Sequence, residues 1–127
     1  MADLRTPLAK VRGLGSAKDG THHFWVQRVT ALALIPLVLW FGVSVASLPD
    51  ASYASVLAWM DSTFNVTMLV TFIIMGFYHG ALGAQVIIED YVPTQWIRIA
   101  SIIAVQVLSF FFAAMGLFAV LKLSMGA

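Results

Sequence analysis

Three long apolar runs restrict this chain more than any other feature of its sequence. They cover about residues 26–48, 64–89 and 96–122, and each holds roughly the 20 mostly apolar residues that an α-helix needs to cross about 30 Å of hydrocarbon. The chain has 127 residues, of which 61% are hydrophobic and 10% charged, and this balance excludes an ordinary soluble globule. The sequence therefore predicts an all-α membrane protein with three transmembrane helices.

The charges outside the apolar runs predict the orientation in the membrane. Residues 1–20 are basic and contain glycine and serine, which is typical of a flexible arm, and residues 21–127 then form a three-helix membrane anchor. Lysine and arginine favour the cytoplasmic side. The loop of residues 49–62 carries two aspartates and no basic residue. We predict a cytoplasmic N-terminus and a periplasmic C-terminus, in a multi-pass protein of a bacterial inner membrane.

Composition also excludes several function classes. The absence of cysteine removes disulfides, thiolate zinc sites and iron–sulfur ligation by this chain. A net charge of +1 provides no basic surface for nucleic acid. The first apolar run begins after more than 20 residues and lacks a convincing cleavage site, so we interpret it as a retained span rather than a signal peptide.

The second apolar run contains a histidine, His79, and a glycine one helical turn later, Gly83. An imidazole within lipid is costly without a partner, so His79 is the first candidate for a functional residue. It lies roughly 14 Å from the end of its run, near the middle of the bilayer. Gly83 leaves a bare strip of helix beside it. Small residues also recur every four positions, a pattern that favours close packing of helices or a flat ligand: Gly76, Gly80 and Ala84.

A single imidazole at this depth suits an axial haem ligand better than a zinc ion, which takes three or four protein ligands. His22 and His23 lie too far along the first run to reach the same iron, so a second axial ligand would come from another polypeptide. Arg28 would pair with a haem propionate or extend to the lipid headgroups, and its position leaves both possibilities open. In a non-redox assembly subunit, His79 would instead form a hydrogen bond to a neighbouring helix.

Asp90 and Tyr91 follow His79 by eleven and twelve residues, at the boundary of the second run. A phenolic hydroxyl can donate to a quinone carbonyl, and a carboxylate can orient the quinone or assist proton uptake. A solvated aspartate and an interfacial tyrosine are the simpler alternatives.

Two segments together resemble a known family. They are His22-His23-Phe24-x-x-x-Arg28-Val29-Thr30-Ala31 and His79-x-x-x-Gly83-x-x-x-x-x-x-Asp90-Tyr91-Val92. Both are similar to the small hydrophobic membrane anchor of succinate dehydrogenase, the respiratory complex II, in which this small anchor is also called cytochrome b556. The likeness covers most of the chain in topology and only these two segments in residue detail.

The resemblance implies a shared haem site. His79 matches the axial ligand of haem b, whose other ligand in this family is a histidine of a second, larger membrane anchor. Arg28 and His22 match residues near the haem propionates, and Gly83 would pack against the haem. His23 departs from the family pattern, in which an acidic residue often follows the first histidine.

The resemblance also implies a quinone site and an assembly. Tyr91 matches the ubiquinone-binding tyrosine, with Asp90 in the same site. A flavoprotein subunit would oxidise succinate for the tricarboxylic acid cycle, and an iron–sulfur subunit would pass the electrons on. This chain would be a non-catalytic anchor that takes part in electron transport to ubiquinone. The anchor of fumarate reductase shares the architecture and is the alternative within the same class.

Overall fold

The computed structural model describes residues 6–11 and 18–126, and within these residues all regular structure is helical. The helices are α1 (Pro7–Val11), α2 (Lys18–Ala46), α3 (Tyr53–Met60), α4 (Thr63–Tyr91) and α5 (Gln95–Ser124). Three helical stretches are long and apolar enough to cross a membrane, namely Gly20–Ala46, Thr63–Tyr91 and Gln95–Ser124. The prediction of an all-α membrane protein with three transmembrane helices is confirmed.

The ends of the long helices follow local sequence. α2 begins at Lys18, so it extends before the apolar run through a polar turn that includes the adjacent histidines. Parts of the predicted arm, residues 1–5 and 12–17, lie outside the described residues. α4 ends at Tyr91, where Pro93 two positions later cannot continue a helix, and α5 begins directly after Thr94. This short turn makes α4 and α5 antiparallel neighbours.

The loop between α2 and α4 contains the short helix α3, which its polar start explains. The Ser55 amide donates to the Ser52 side chain, a standard N-cap arrangement. The Asp50 carboxylate accepts from the Ser52 amide and from the Ser55 hydroxyl. Hydrogen bonds from the Ser52 side chain first, then from the Ser55 side chain and the Ser52 amide, lower the pKa of Asp50 to about 2.

α4 lies between the other two long helices and contacts both, whereas α2 and α5 do not contact each other in the described part of the chain. Aromatic pairs join α4 and α3 to the second half of α2. The rings of Phe41 and Phe72 stack with centroids 5.0 Å apart. Trp40 lies 5.7 Å from Trp59 and 6.3 Å from Phe64. Such pairs are worth about 0.5–1.5 kcal/mol each beyond burial. They therefore stabilise the packing of the second half of α2 on α3 and α4.

Most apolar side chains of the long helices are exposed. Among the described residues, the buried apolar side chains are those of Leu37, Met60 and Val120. The outward apolar surface matches what lipid or another membrane subunit would cover. The small-residue pattern in α4 is also open: no atom of the described chain lies within 4 Å of a Cβ built on Gly76 or Gly80. Within the described residues, no other helix therefore packs on Gly76 or Gly80.

Candidate functional site

A groove lies between the first half of α2 and the second half of α4, and we call it the α2–α4 groove. Its volume is about 780 Å³, within the range of small-molecule and cofactor sites. It opens sideways because α5 packs on another side of α4. The lining consists of Gly20, His23, Phe24, Gln27, Arg28, Ala31, His79, Gly83, Gln85, Val86 and Glu89.

His79 is held in the wall of this groove by a threonine of the facing helix. Its Nδ1 atom lies 3.0 Å from the Thr30 hydroxyl oxygen. Thr30 is only 5% exposed and is the buried polar residue among those described. Its hydroxyl also lies 2.8 Å from the Val26 carbonyl oxygen and 3.1 Å from that of Gln27. The hydrogen bond to Thr30 fixes the ring, and Nε2 is the remaining nitrogen with coordinating capacity.

Gly83 marks the close approach of α2 to α4. A Cβ built on it would just touch the Gln27 side-chain nitrogen at 3.4 Å, so a side chain larger than that of alanine would extend into the groove beside Gln27. The Gln27 side-chain oxygen is buried and has no hydrogen-bond partner within the described residues. Since buried polar atoms normally have partners, this unpaired oxygen in the groove wall is a sign that something else completes the site.

The two adjacent histidines separate clearly in the structure. His23 lines the groove, and its Nε2 atom is buried and without a partner in the part of the chain described. His22 is exposed and does not line the groove. Neighbouring residues on a helix point about 100° apart, so only one of them can face α4. The sequence alone left the choice between these two residues open.

Arg28 also lines the groove, at its exposed edge. Its guanidinium carbon lies 5.1 Å from the centroid of the Phe24 ring, a cation–π distance. No ion pair of Arg28 is present within residues 6–11 and 18–126. The guanidinium N–H groups are therefore available to an anionic group of a ligand bound in the groove.

Asp90 and Tyr91 lie in the last turn of α4, outside the groove. Both are exposed, Tyr91 to 79%. Tyr91 follows His79 by twelve residues, which is about 18 Å along a helix. The structure thus places these two residues apart from His79, at the end of the bundle where α2 begins.

A chain of side-chain hydrogen bonds borders the groove on its other flank. The Gln106 amide donates to Gln85 over 3.2 Å, and the Gln85 amide donates to the Glu89 carboxylate over 2.8 Å. Gln85 and Glu89 line the groove but were not singled out from the sequence. Four-residue spacing of polar side chains at the end of an apolar run was the available signal.

A second groove lies between α4 and α5, with a volume of about 560 Å³, and we call it the α4–α5 groove. Its walls are apolar and aromatic apart from Gln85, Gln106, Ser109 and the Tyr78 hydroxyl. It contains no histidine and no acidic or basic side chain among the residues described. It is a surface for apolar chains rather than for a metal centre.

The donor set limits which cofactors fit the α2–α4 groove. Within the described residues, no three histidine, cysteine or acidic side chains gather as a metal site. An ion held by this chain's side chains alone is therefore not supported. A planar metal macrocycle needs only an axial nitrogen and donors for its anionic substituents, and His79, Arg28 and His23 fit that requirement.

Comparison with known proteins gives one consistent family. Residues 2–113 match the family model described as succinate dehydrogenase/fumarate reductase transmembrane subunit. A relative from Rickettsia bellii, a succinate dehydrogenase hydrophobic membrane anchor subunit, is 34% identical over 84% of this chain and 86% of its own length. The protein of the same name from Paracoccus denitrificans is 32% identical over 96% of this chain and 94% of its own length. No solved structure matches significantly.

Proposed function

Because the chain belongs to the family of succinate dehydrogenase/fumarate reductase transmembrane subunits, we propose that it supplies half of a haem b site and part of a ubiquinone site. It is a succinate dehydrogenase membrane anchor, and the succinate-oxidising site belongs to another subunit. The observation that carries the haem proposal is His79, held by Thr30 in the wall of the α2–α4 groove.

In this proposal, His79 would hold the haem iron through a ring nitrogen. When bound, haem b supplies a one-electron carrier at this depth of the membrane. No other described histidine lies close enough to His79 to act as a second ligand. Because the groove is open on one side, another chain could supply that ligand. The larger membrane anchor of the family is the proposed source of that ligand. Gly83 keeps the groove floor free of a side chain next to the imidazole.

Arg28 and the two N-terminal histidines of α2 act at the propionate edge. The Arg28 guanidinium pairs with a propionate, which adds charge-assisted hydrogen bonds. The buried and unpaired Nε2 atom of His23 supports a second donor there. His22, which the family pattern implies, is exposed and offers a weaker contact at most.

Tyr91 and Asp90 form this chain's part of the quinone site. Tyr91 donates its phenolic proton to a quinone carbonyl. Asp90 orients the headgroup and passes protons from water, since reduction of a quinone to a quinol takes up two electrons and two protons. Their exposure at the end of α4 supports this role, because a second subunit has to complete the site.

The remaining parts of the proposal concern assembly and placement. Partners are the larger membrane anchor, an iron–sulfur subunit and a flavoprotein, with lipid around the exposed helix faces. The basic N-terminal segment favours a cytoplasmic N-terminus in a bacterial inner membrane, and the C-terminus is then periplasmic. The named relatives are succinate dehydrogenase subunits, which favours succinate oxidation over fumarate reduction.

A reduced-minus-oxidised spectrum of the purified complex tests the haem site. We expect a b-type signal in the wild type and in Ser109→Ala, a change that lies only in the other groove, and loss of that signal in His79→Ala. An unchanged signal in His79→Ala, in a fully assembled complex, would contradict the ligand assignment. Complete absence of haem from the wild type would favour a non-redox assembly subunit.

Quinone reduction is tested separately with Tyr91→Phe, which removes one hydroxyl. We expect ubiquinone reduction to fall by about tenfold, the scale of one lost hydrogen bond, while succinate oxidation by an artificial acceptor is unchanged. The matched control is Tyr78→Phe, a tyrosine in the α4–α5 groove. Equal loss of both activities in Tyr91→Phe would reject the quinone role.

A further inference from the structure

We infer that Thr30 is a positioning residue that keeps the imidazole of His79 protonated on Nδ1, so that Nε2 carries the free lone pair. The inference concerns a contact between two helices, and it rests on the proposed function only where it predicts haem properties. The contact itself is a distance of 3.0 Å between the Thr30 hydroxyl oxygen and Nδ1.

We assign the direction of this hydrogen bond from the two carbonyl acceptors that the Thr30 hydroxyl meets on its own helix. A threonine hydroxyl has one proton to donate and two lone pairs to accept with. The Val26 carbonyl, 2.8 Å away, can only accept, and the Gln27 carbonyl at 3.1 Å is placed to share the same proton. With its proton directed to its own helix, the hydroxyl accepts from His79. Nδ1 must then be the protonated ring nitrogen.

Burial makes the arrangement specific. Thr30 is 5% exposed, so water does not compete for its hydroxyl. The threonine is already satisfied within α2 and does not require His79. His79 does require Thr30, because a half-buried ring N–H without an acceptor is costly. The imidazole therefore depends on the threonine for its hydrogen bond, and the threonine does not depend on the imidazole.

The consequence concerns which nitrogen can bind a metal. A neutral imidazole coordinates through its unprotonated nitrogen, and the acceptor on the other nitrogen decides which one that is. Such an outer hydrogen bond also increases the basicity of the ligand, and its loss typically costs 10–100-fold in metal affinity. Without the Thr30 hydroxyl, the Nε2–H tautomer becomes competitive, and it cannot ligate through Nε2.

The experiment uses the assembled complex carrying Thr30→Val, which keeps the shape and removes the hydroxyl. Thr30→Ser keeps the hydroxyl. Thr71→Val is the matched control, because the Thr71 hydroxyl also donates to its own helix, to the Thr67 carbonyl over 2.8 Å, and is not bonded to a histidine. Haem content per complex, haem affinity and the haem midpoint potential are measured for each variant.

We expect Thr30→Val to lose about tenfold or more in haem affinity. The potential of the haem that remains should move in the positive direction, because a less basic ligand stabilises the ferric state less. Thr30→Ser and Thr71→Val should match the wild type. If Thr30→Val matched Thr71→Val in affinity and potential while His79→Ala removed the haem, the inference would be wrong.

A second measurement needs neither a folded Thr30 variant nor haem. The complex is isolated from haem-deficient cells with ¹⁵N- and ¹³C-labelled histidine, and the His79 signals are those missing from His79→Ala. NMR correlation to Cγ distinguishes Nδ1 from Nε2. A protonated Nδ1 in the wild type supports the inference, and a protonated Nε2 overturns it. Haem retention in His79→Ala would reject the proposed ligand and leave this tautomer result intact.

Discussion

Two grooves flank α4, and they differ in chemistry more than in size. The α2–α4 groove has a volume of about 780 Å³ and the α4–α5 groove about 560 Å³. The first contains histidine, arginine and glutamate side chains, whereas the second has only neutral polar groups among aromatic and aliphatic ones. In lipid, ionisable side chains are expensive to keep, so their concentration on one side of α4 supports the proposal that the ligand binds on that side.

The comparison also shows how one helix can serve two purposes. The α5 side of α4 packs through Gly116, where a Cβ would lie 3.5 Å from Ile73. The α2 side leaves a space next to His79 and Gly83 instead of filling it. Gln85 lies between the two and contributes to both grooves. Structural packing and ligand chemistry are thus separated around the circumference of α4.

The largest expected effect comes from filling the functional groove. Gly83→Leu would project a side chain toward Gln27, and overpacking of this kind costs about 1–3 kcal/mol in addition to blocking the space. We expect nearly complete loss of haem from the purified complex, measured as haem per flavin. Gly80→Leu is the control, because its Cβ would meet no atom of the described chain within 4 Å. Equal haem loss in both variants would contradict the claim that haem binds on the Gly83 face of α4 and not on the Gly80 face.

A smaller effect is expected when the cation at the groove mouth is removed. Arg28→Ala should weaken haem binding by roughly tenfold or more, since hydrogen bonds to charged groups are worth about 1.5–3 kcal/mol. The midpoint potential should fall, because a nearby positive charge favours the reduced haem. Arg98→Ala, at the start of α5 and in neither groove, should leave both values unchanged. A normal potential in Arg28→Ala would assign this residue to the lipid headgroups.

A still smaller effect should separate the two adjacent histidines. His23→Ala removes a groove donor whose buried Nε2 has no partner among the described residues, so haem affinity should fall about two- to tenfold, the scale of one neutral hydrogen bond. His22→Ala removes an exposed ring outside the groove and should have little effect. Titration of both variants with haem measures their haem affinities and shows which histidine contributes more to binding. The reverse order would show that α2 is rotated in the assembled complex.

Sequence reasoning reached the transmembrane helices and His79 for one physical reason. A bilayer demands long apolar helices and penalises an unpartnered imidazole, so both features stand out in a single sequence. The helix α3 was not predicted, because its eight residues, Tyr53–Met60, form a helix too short for a periodic pattern and depend on the Ser52 cap and on packing against α4 and α5. Local features of that size need the surrounding structure.

The site residues divide in the same way. His79 was singled out by the cost of an imidazole in lipid, Gly83 by its spacing from His79, and Arg28 by its charge next to an apolar run. Thr30 was quoted in the family motif without a role, because a threonine in a helix usually satisfies its hydroxyl on its own backbone. Its contact with His79 joins residues 49 positions apart in the sequence. Only the packing of α2 on α4 reveals such a pair.

The smallest expected effect lies outside both grooves, in the cap of α3. Hydrogen bonds from Ser52 and Ser55 lower the pKa of Asp50 from 3.8 to about 2. A pKa that is lower in the folded state contributes stability above the unfolded value, and this contribution is lost as the pH falls from about 4 to about 2. We expect Asp50→Asn to lower the thermal unfolding temperature slightly at neutral pH, with the difference from wild type disappearing toward pH 2.

Asp61→Asn, an exposed aspartate at the other end of α3, is the control. The haem spectrum should stay unchanged in both variants, because Asp50 lines neither groove. A haem change in Asp50→Asn would mean that the α3 cap is coupled to the α2–α4 groove through α2.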